Sequence, residues 1–162
     1  MKKQIILLFL FCVFVLGGRV SAADTQEHAF DETSFQEILH KEKGRPLIVN
    51  FWSYDCVPCL AEMAEFDHFT QQHDDVKLTL VSTDPWDQMK RIRRTLAKYG
   101  PQRFESWVFA HAFVEKIRFS VDRKWRGQLP RTYLVDPDGT RHSLTGAVDG
   151  DRLDQWYKGF SK

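Results

Sequence analysis

Residues 47–59 read Leu-Ile-Val-Asn-Phe-Trp-Ser-Tyr-Asp-Cys-Val-Pro-Cys. The first six form a near-continuous apolar run of strand length, the pattern of a central strand buried on both faces. A helical pattern follows. Cys59, Glu62, Met63, Phe66 and Phe69 recur at three and four, which places them on one helix face. Pro58 suits the first turn of that helix, where its missing N–H had no partner to lose. Two cysteines three apart therefore stand where a strand hands over to a helix.

Outward from this junction the elements alternate. Ser34 and Glu37 have the spacing of a capping box ahead of a short amphipathic helix carrying Phe35, Ile38 and Leu39. Residues 24–30 are polar and read as loose. Val76, Leu78 and Leu80 alternate as a second strand. Asp84-Pro85 opens a helix with Trp86, Met89, Ile92 and Leu96 as its buried stripe, ending near Gly100-Pro101. Residues 106–110 read as a short strand, 113–119 as a short helix and 120–130 as irregular. Thr132–Val135 is a strand, Asp136-Pro137-Asp138-Gly139 a turn and 141–145 the returning hairpin strand. Leu153, Trp156, Tyr157 and Phe160 mark a closing helix. The expected class is α/β, a central mixed sheet flanked by helices on both faces.

The first 22 residues have a different character. Lys2 and Lys3 precede an unbroken apolar run from Ile5 to Leu16, then Gly-Gly-Arg and a small-residue stretch. This is the order of a cleavable signal peptide, with cleavage expected after Ala22. The run is shorter than the about 20 residues a spanning helix needs, so a membrane anchor is the weaker reading. Residues 23–162 then form one domain. The leader takes Lys2, Lys3, Arg19 and Cys12 with it. The remainder holds 20 basic and 22 acidic side chains, a net charge of −2, which gives no support for nucleic-acid binding. Its two cysteines, Cys56 and Cys59, would face an oxidising compartment, expected to be the bacterial periplasm.

A disulfide across three residues adds little loop-closure stability, so the pair calls for a chemical role. The helix N-terminus stabilises a thiolate at Cys56. Cys56 then attacks a substrate disulfide, and the shielded Cys59 resolves the mixed disulfide. Glu62, on an apolar face one turn on, is expected to have a raised pKa and to exchange a proton with Cys59. Asp55 opposes the thiolate. At about 6 Å the coupling is roughly 0.7–2.8 kcal/mol, which raises the Cys56 pKa by about half to two units. Val57 and Pro58 are neutral and do not oppose it, which favours a reductant over an oxidant.

Val49-Asn50-Phe51-Trp52, Cys56-Val57-Pro58-Cys59 and Ala61-Glu62-Met63, followed by Leu129-Pro130-Arg131-Thr132-Tyr133-Leu134-Val135-Asp136-Pro137-Asp138-Gly139, resemble the thioredoxin-like TlpA/ResA family of exported thiol-disulfide oxidoreductases. The likeness spans roughly residues 34–160. It implies a thioredoxin-like fold with the CxxC at a helix N-terminus. It implies a cis Pro130 facing the cysteines, with Leu129 offering backbone groups to a substrate strand and Trp52 packing beneath. It also implies that Asn50 occupies the place of the buried aspartate of cytosolic thioredoxins, with Glu62 taking over its role. The partners it implies are exported proteins with disulfides, met transiently, and a membrane thiol donor; the only redox group is the Cys56–Cys59 disulfide. Asp55 departs from the family's usual Trp, Ala64 from a common Pro and Leu60 from a common basic residue; residues 101–129 are a longer insertion.

Other readings stay open at this level. A disulfide oxidant or isomerase is one, a non-catalytic copper-binding chaperone of the same fold another, and a structural disulfide a third. A metal site would draw on the cysteines with His68, His73 or His111, although the cysteine spacing differs from that of such chaperones. The histidines read more simply as surface residues. Lys90, Arg91, Arg93, Arg94 and Lys98 read as a solvated helix face. Trp107, Trp125 and Tyr133 fit a core better than a substrate groove.

Overall fold

The computed structural model describes residues 27–161; the expected signal peptide lies outside them. Among the described residues six strands form one sheet: β1 (His28–Phe30), β2 (Leu47–Trp52), β3 (Lys77–Ser82), β4 (Glu105–Phe109), β5 (Arg131–Val135) and β6 (Arg141–Thr145). Their spatial order is β1-β4-β3-β2-β5-β6. The first four run parallel, while β5 lies antiparallel to β2 and β6 antiparallel to β5. The helices are α1 (Ser34–Lys41), α2 (Val57–Gln72), α3 (Met89–Tyr99), α4 (Val114–Val121) and α5 (Gly150–Phe160).

Strand alternation sorts the core into two layers. Ile48 and Trp52 of β2 point to the face covered by α2, α3 and α5, where Met63, Phe66, Ile92 and Leu153 pack. Leu47, Val49 and Phe51 point to the other face, against Phe35 and Ile38 of α1 and Ile117 of α4. All six residues of β2 are buried, as the apolar run required. The thioredoxin-like mixed sheet expected from the sequence is the architecture found.

Three local expectations are corrected. Residues 28–30 are not loose: they pair with Trp107–Phe109 as an edge strand, because Phe30 is drawn fully into the core against Phe51 and Phe109. The start of α1 is not a Ser34–Glu37 box. Thr33 is the N-cap, its Oγ1 donates to Glu37 at 2.8 Å, and Ser34 Oγ donates to Asp31 at 3.0 Å. Trp86 is not in the buried stripe of α3 but lies in a 3-10 turn, exposed, ahead of it. Residues 101–129 hold β4 and α4, so the insertion is structured in its first two thirds.

Candidate functional site

The site grows from the C-terminal end of β2. After Trp52 the chain turns through Ser53–Asp55, closed by the Cys56 N–H donating to Ser53 O at 3.1 Å. Cys56 is the N-cap of α2, in extended backbone, with Pro58 in the first turn. Cys56 and Cys59 are joined in a disulfide. Cys56 is partly exposed, whereas Cys59 is fully buried. The first cysteine is open to solvent in part and the second is sealed from it.

The turn is held from beneath by Asp84, which follows β3 and is buried. Its carboxylate accepts hydrogen bonds from Ser53 Oγ at 2.7 Å, Ser82 Oγ at 2.8 Å and the Tyr54 N–H at 3.0 Å. In the sequence Asp84 reads only as a helix opener. The signal of its second role is an acid two residues past the end of a buried strand, where an unpaired charge would not be tolerated. Asp84→Ala leaves those donors without an acceptor, with an expected cost of about 1–3 kcal/mol. Urea unfolding measures the loss, and the thiol exchange rate of Cys56 should change with it as the turn loosens. An unchanged midpoint and rate would show that the turn holds itself.

Asp55 is not unopposed. Arg91 of α3 places Nη2 at 2.6 Å from Asp55 Oδ1, and its guanidinium lies 3.9 Å from the centre of the Tyr54 ring. A residue of the expected solvated face thus reaches the two positions before the nucleophile. Both partners are more than half exposed, so solvent screens the pair, but the carboxylate's effect on Cys56 is partly offset.

Glu62 projects from α2 into the sheet and is 2% exposed. Asn50 Nδ2 donates to its Oε1 at 2.8 Å, and the Val148 N–H donates to its Oε2 at 2.9 Å. Asn50 Nδ2 also donates to Thr132 Oγ1 at 3.0 Å. Burial pushes the Glu62 pKa up to about 7, against the two hydrogen bonds that favour the ionised form. Among the described residues Asn50 Oδ1 is buried and without a partner. Thr132 and Val148 were not foreseen. They lie 82 residues from Asn50 and 86 from Glu62, and no local pattern links them.

The Leu129–Pro130 peptide bond is cis. Phe51 pairs with Arg131, so Pro130 stands at the level of Trp52, at the sheet end that carries Cys56. Leu129 packs in the apolar layer that includes Tyr54 and Cys56. Trp52 is fully buried; it underlies the site and presents no surface to a partner. The histidines are dispersed: His68 contacts Gln72, His73 packs on Phe69 and Tyr157, and His111 meets Glu32. Among the described residues no three His, Cys, Asp or Glu side chains gather as a metal site would need.

A buried and a reachable cysteine, paired at the start of a helix on this sheet, define a thioredoxin-like thiol-disulfide oxidoreductase. The profile of the AhpC/TSA family matches residues 17–142, and the chain belongs to that family. It is similar to the thiol-disulfide oxidoreductase ResA of Bacillus thuringiensis (strain Al Hakam), 21% identical over 179 residues, covering 100% of this chain and 98% of that protein. It is also similar to the sporulation thiol-disulfide oxidoreductase A of Bacillus subtilis (strain 168), 23% identical over 124 residues, covering 75% and 72%. Among solved structures, a secreted Mycobacterium tuberculosis disulfide oxidoreductase homologous to E. coli DsbE superposes with a TM-score of 0.60 at 18% identity, covering 75% of this chain and 86% of that one.

Proposed function

We propose that this protein reduces disulfides in exported proteins, in the periplasm, after export and cleavage behind Ala22. Cys56 attacks the substrate disulfide, and its sulfur forms the mixed disulfide as the first substrate thiolate leaves. Cys59 loses its proton to Glu62 and attacks Cys56. The second substrate thiolate leaves, and the Cys56–Cys59 disulfide remains. Two electrons have passed from the protein's dithiol to the substrate. A membrane thiol donor returns them. Leu129, partly exposed just ahead of the buried cis Pro130, forms the shelf on which the substrate strand lies.

The observation that carries the reading is the buried Glu62 on the same helix face as Cys59, poised near neutrality. A base in that state suits the resolving step at the pH of the compartment. The direction rests on charge. Two carboxylates, Asp55 and Asp84, flank the turn before Cys56, one guanidinium opposes them, and the Val57-Pro58 pair adds no cation. The carboxylate excess at this turn disfavours the Cys56 thiolate and hence the reduced form, which makes the dithiol more reducing.

Equilibration of residues 23–162 with defined dithiothreitol couples tests this. The expected reduction potential is about −230 mV or lower, in the thioredoxin and glutaredoxin range. A value of about −120 to −180 mV would place the protein with oxidants and isomerases and overturn the direction.

A further inference from the structure

The segment that leads to the cis Pro130 reads Arg123-Lys124-Trp125-Arg126-Gly127-Gln128-Leu129-Pro130-Arg131, with four cations and no acid. Arg131 is engaged by Asp122, Nη2 to Oδ2 at 2.7 Å, which closes the two ends of the loop. Arg123, Lys124 and Arg126 are exposed and form no ion pair among the described residues; the Arg123 guanidinium lies 5.0 Å from the Phe119 ring centre. The charge of the mature chain is slightly negative, so this concentration is local.

The loop is built rather than loose. Trp125 is buried, its Nε1 donates to Gln128 O at 2.9 Å, and its ring packs 4.8 Å from that of Phe51. The Arg126 N–H donates to Gln128 Oε1 at 3.1 Å. Gly127 has φ +92°, and Arg118 Nη1 lies where a Cβ would stand, so a fourth guanidinium lies across the loop. Phe51 immediately precedes Trp52, so Trp125 anchors the loop at the sheet end that carries Cys56. The exposed cations therefore lead directly into the partly exposed Leu129 that precedes the buried Pro130.

We propose that Arg123, Lys124 and Arg126 form a docking surface for an acidic segment flanking the substrate's disulfide. This deepens the reductase reading and rests on it. Three cations fixed within four residues raise the local concentration of an anionic peptide and repel a basic one. The small extent of the patch and its place beside the shelf suit a peptide chain arriving in extended form. The surface would select among protein disulfides of equal intrinsic reactivity by the charge next to them.

The test uses three disulfide-bridged peptides whose cysteines are flanked by Glu, by Lys or by Ser. Each kcat/KM for reduction is divided by that of the Ser peptide, measured at low salt and near 1 M salt. The expected preference for Glu over Lys flanks is about tenfold at low salt. It should fade near 1 M, where the screening length is about 3 Å. The Arg123→Glu/Arg126→Glu variant, checked for an unchanged Tm, should invert it. A ratio near one in the native protein, or one that persists in the variant, overturns the proposal. Dissociation constants of fluorescent versions with serine for cysteine read the same preference without chemistry. A protein that binds the Glu peptide selectively yet reduces none of the three sinks the reductase reading alone. One that reduces all three without preference sinks the docking surface alone.

Discussion

Cys59→Ser protein, mixed in reduced form with a substrate disulfide, is expected to accumulate a covalent complex through Cys56 that persists until a thiol is added. Cys56→Ser protein should form none, and its reduction rate should fall to that of the reaction without protein. The asymmetry follows from burial. Cys56 is partly exposed at the helix N-cap, whereas Cys59 is fully buried in the core layer that also holds Ile48, Met63 and Trp52. An incoming disulfide reaches only the first sulfur, and a mixed disulfide there is cleared only by the second. Non-reducing electrophoresis followed by mass analysis of the bridged peptide reads the result. Equal trapping by both variants, or by neither, would mean that burial does not assign the two roles.

The second large effect belongs to Glu62. In the native protein the rate of the resolving step should rise with pH through an inflection near 7, as the buried carboxyl becomes able to take a proton. Glu62→Gln should lose the inflection and slow the step about 100-fold. Stopped-flow tryptophan fluorescence between pH 5.5 and 8.5 measures both. The variant should fold. Asn50 Oδ1 is buried and has no partner among the described residues, and a turn of that amide lets it accept from the side-chain nitrogen that the substitution introduces, as it would from a protonated Glu62. Retention of the inflection in the variant would assign the titration to another group.

The same carboxyl couples to stability, and the sign is set by the direction of its shift. Its folded pKa is raised, so between about 4.5 and 7 the native state holds a proton that the unfolded chain has released. Stability conferred by the neutral form is present below that window and declines as pH rises through it. The loss amounts to about 3 kcal/mol for a rise of this size. Urea midpoints taken from pH 5 to pH 8 should fall in the native protein relative to Glu62→Gln.

The elements of this fold were legible wherever a pattern stays within one segment. The apolar run 47–52, the helix stripe Cys59–Met63–Phe66–Phe69 and the turn at Asp136–Gly139 identify themselves. Together with the cysteine spacing they specify a nucleophile at a strand–helix junction. Short edge elements were less legible: three residues of β1 carry too little pattern, and only pairing with β4 makes them a strand. Trp86 has the spacing of a core residue relative to Met89 and Ile92, but a 3-10 turn rotates it away from that face.

Local order, the chemistry of Cys56 and Cys59 and the acid one turn later were thus written in neighbouring residues, since helix and strand periods act over a few positions. The environment of those groups came from the sheet. The antiparallel register of β2 with β5 places Thr132 opposite Asn50. The β6–α5 connection delivers the Val148 N–H to Glu62. The end of β3 sets Asp84 under the Ser53–Asp55 turn, and α3 brings Arg91 to Asp55. Electrostatic and hydrogen-bond energies depend on distances of a few ångströms between atoms. Such distances between residues 30 to 86 positions apart in the chain exist only once the layers have packed.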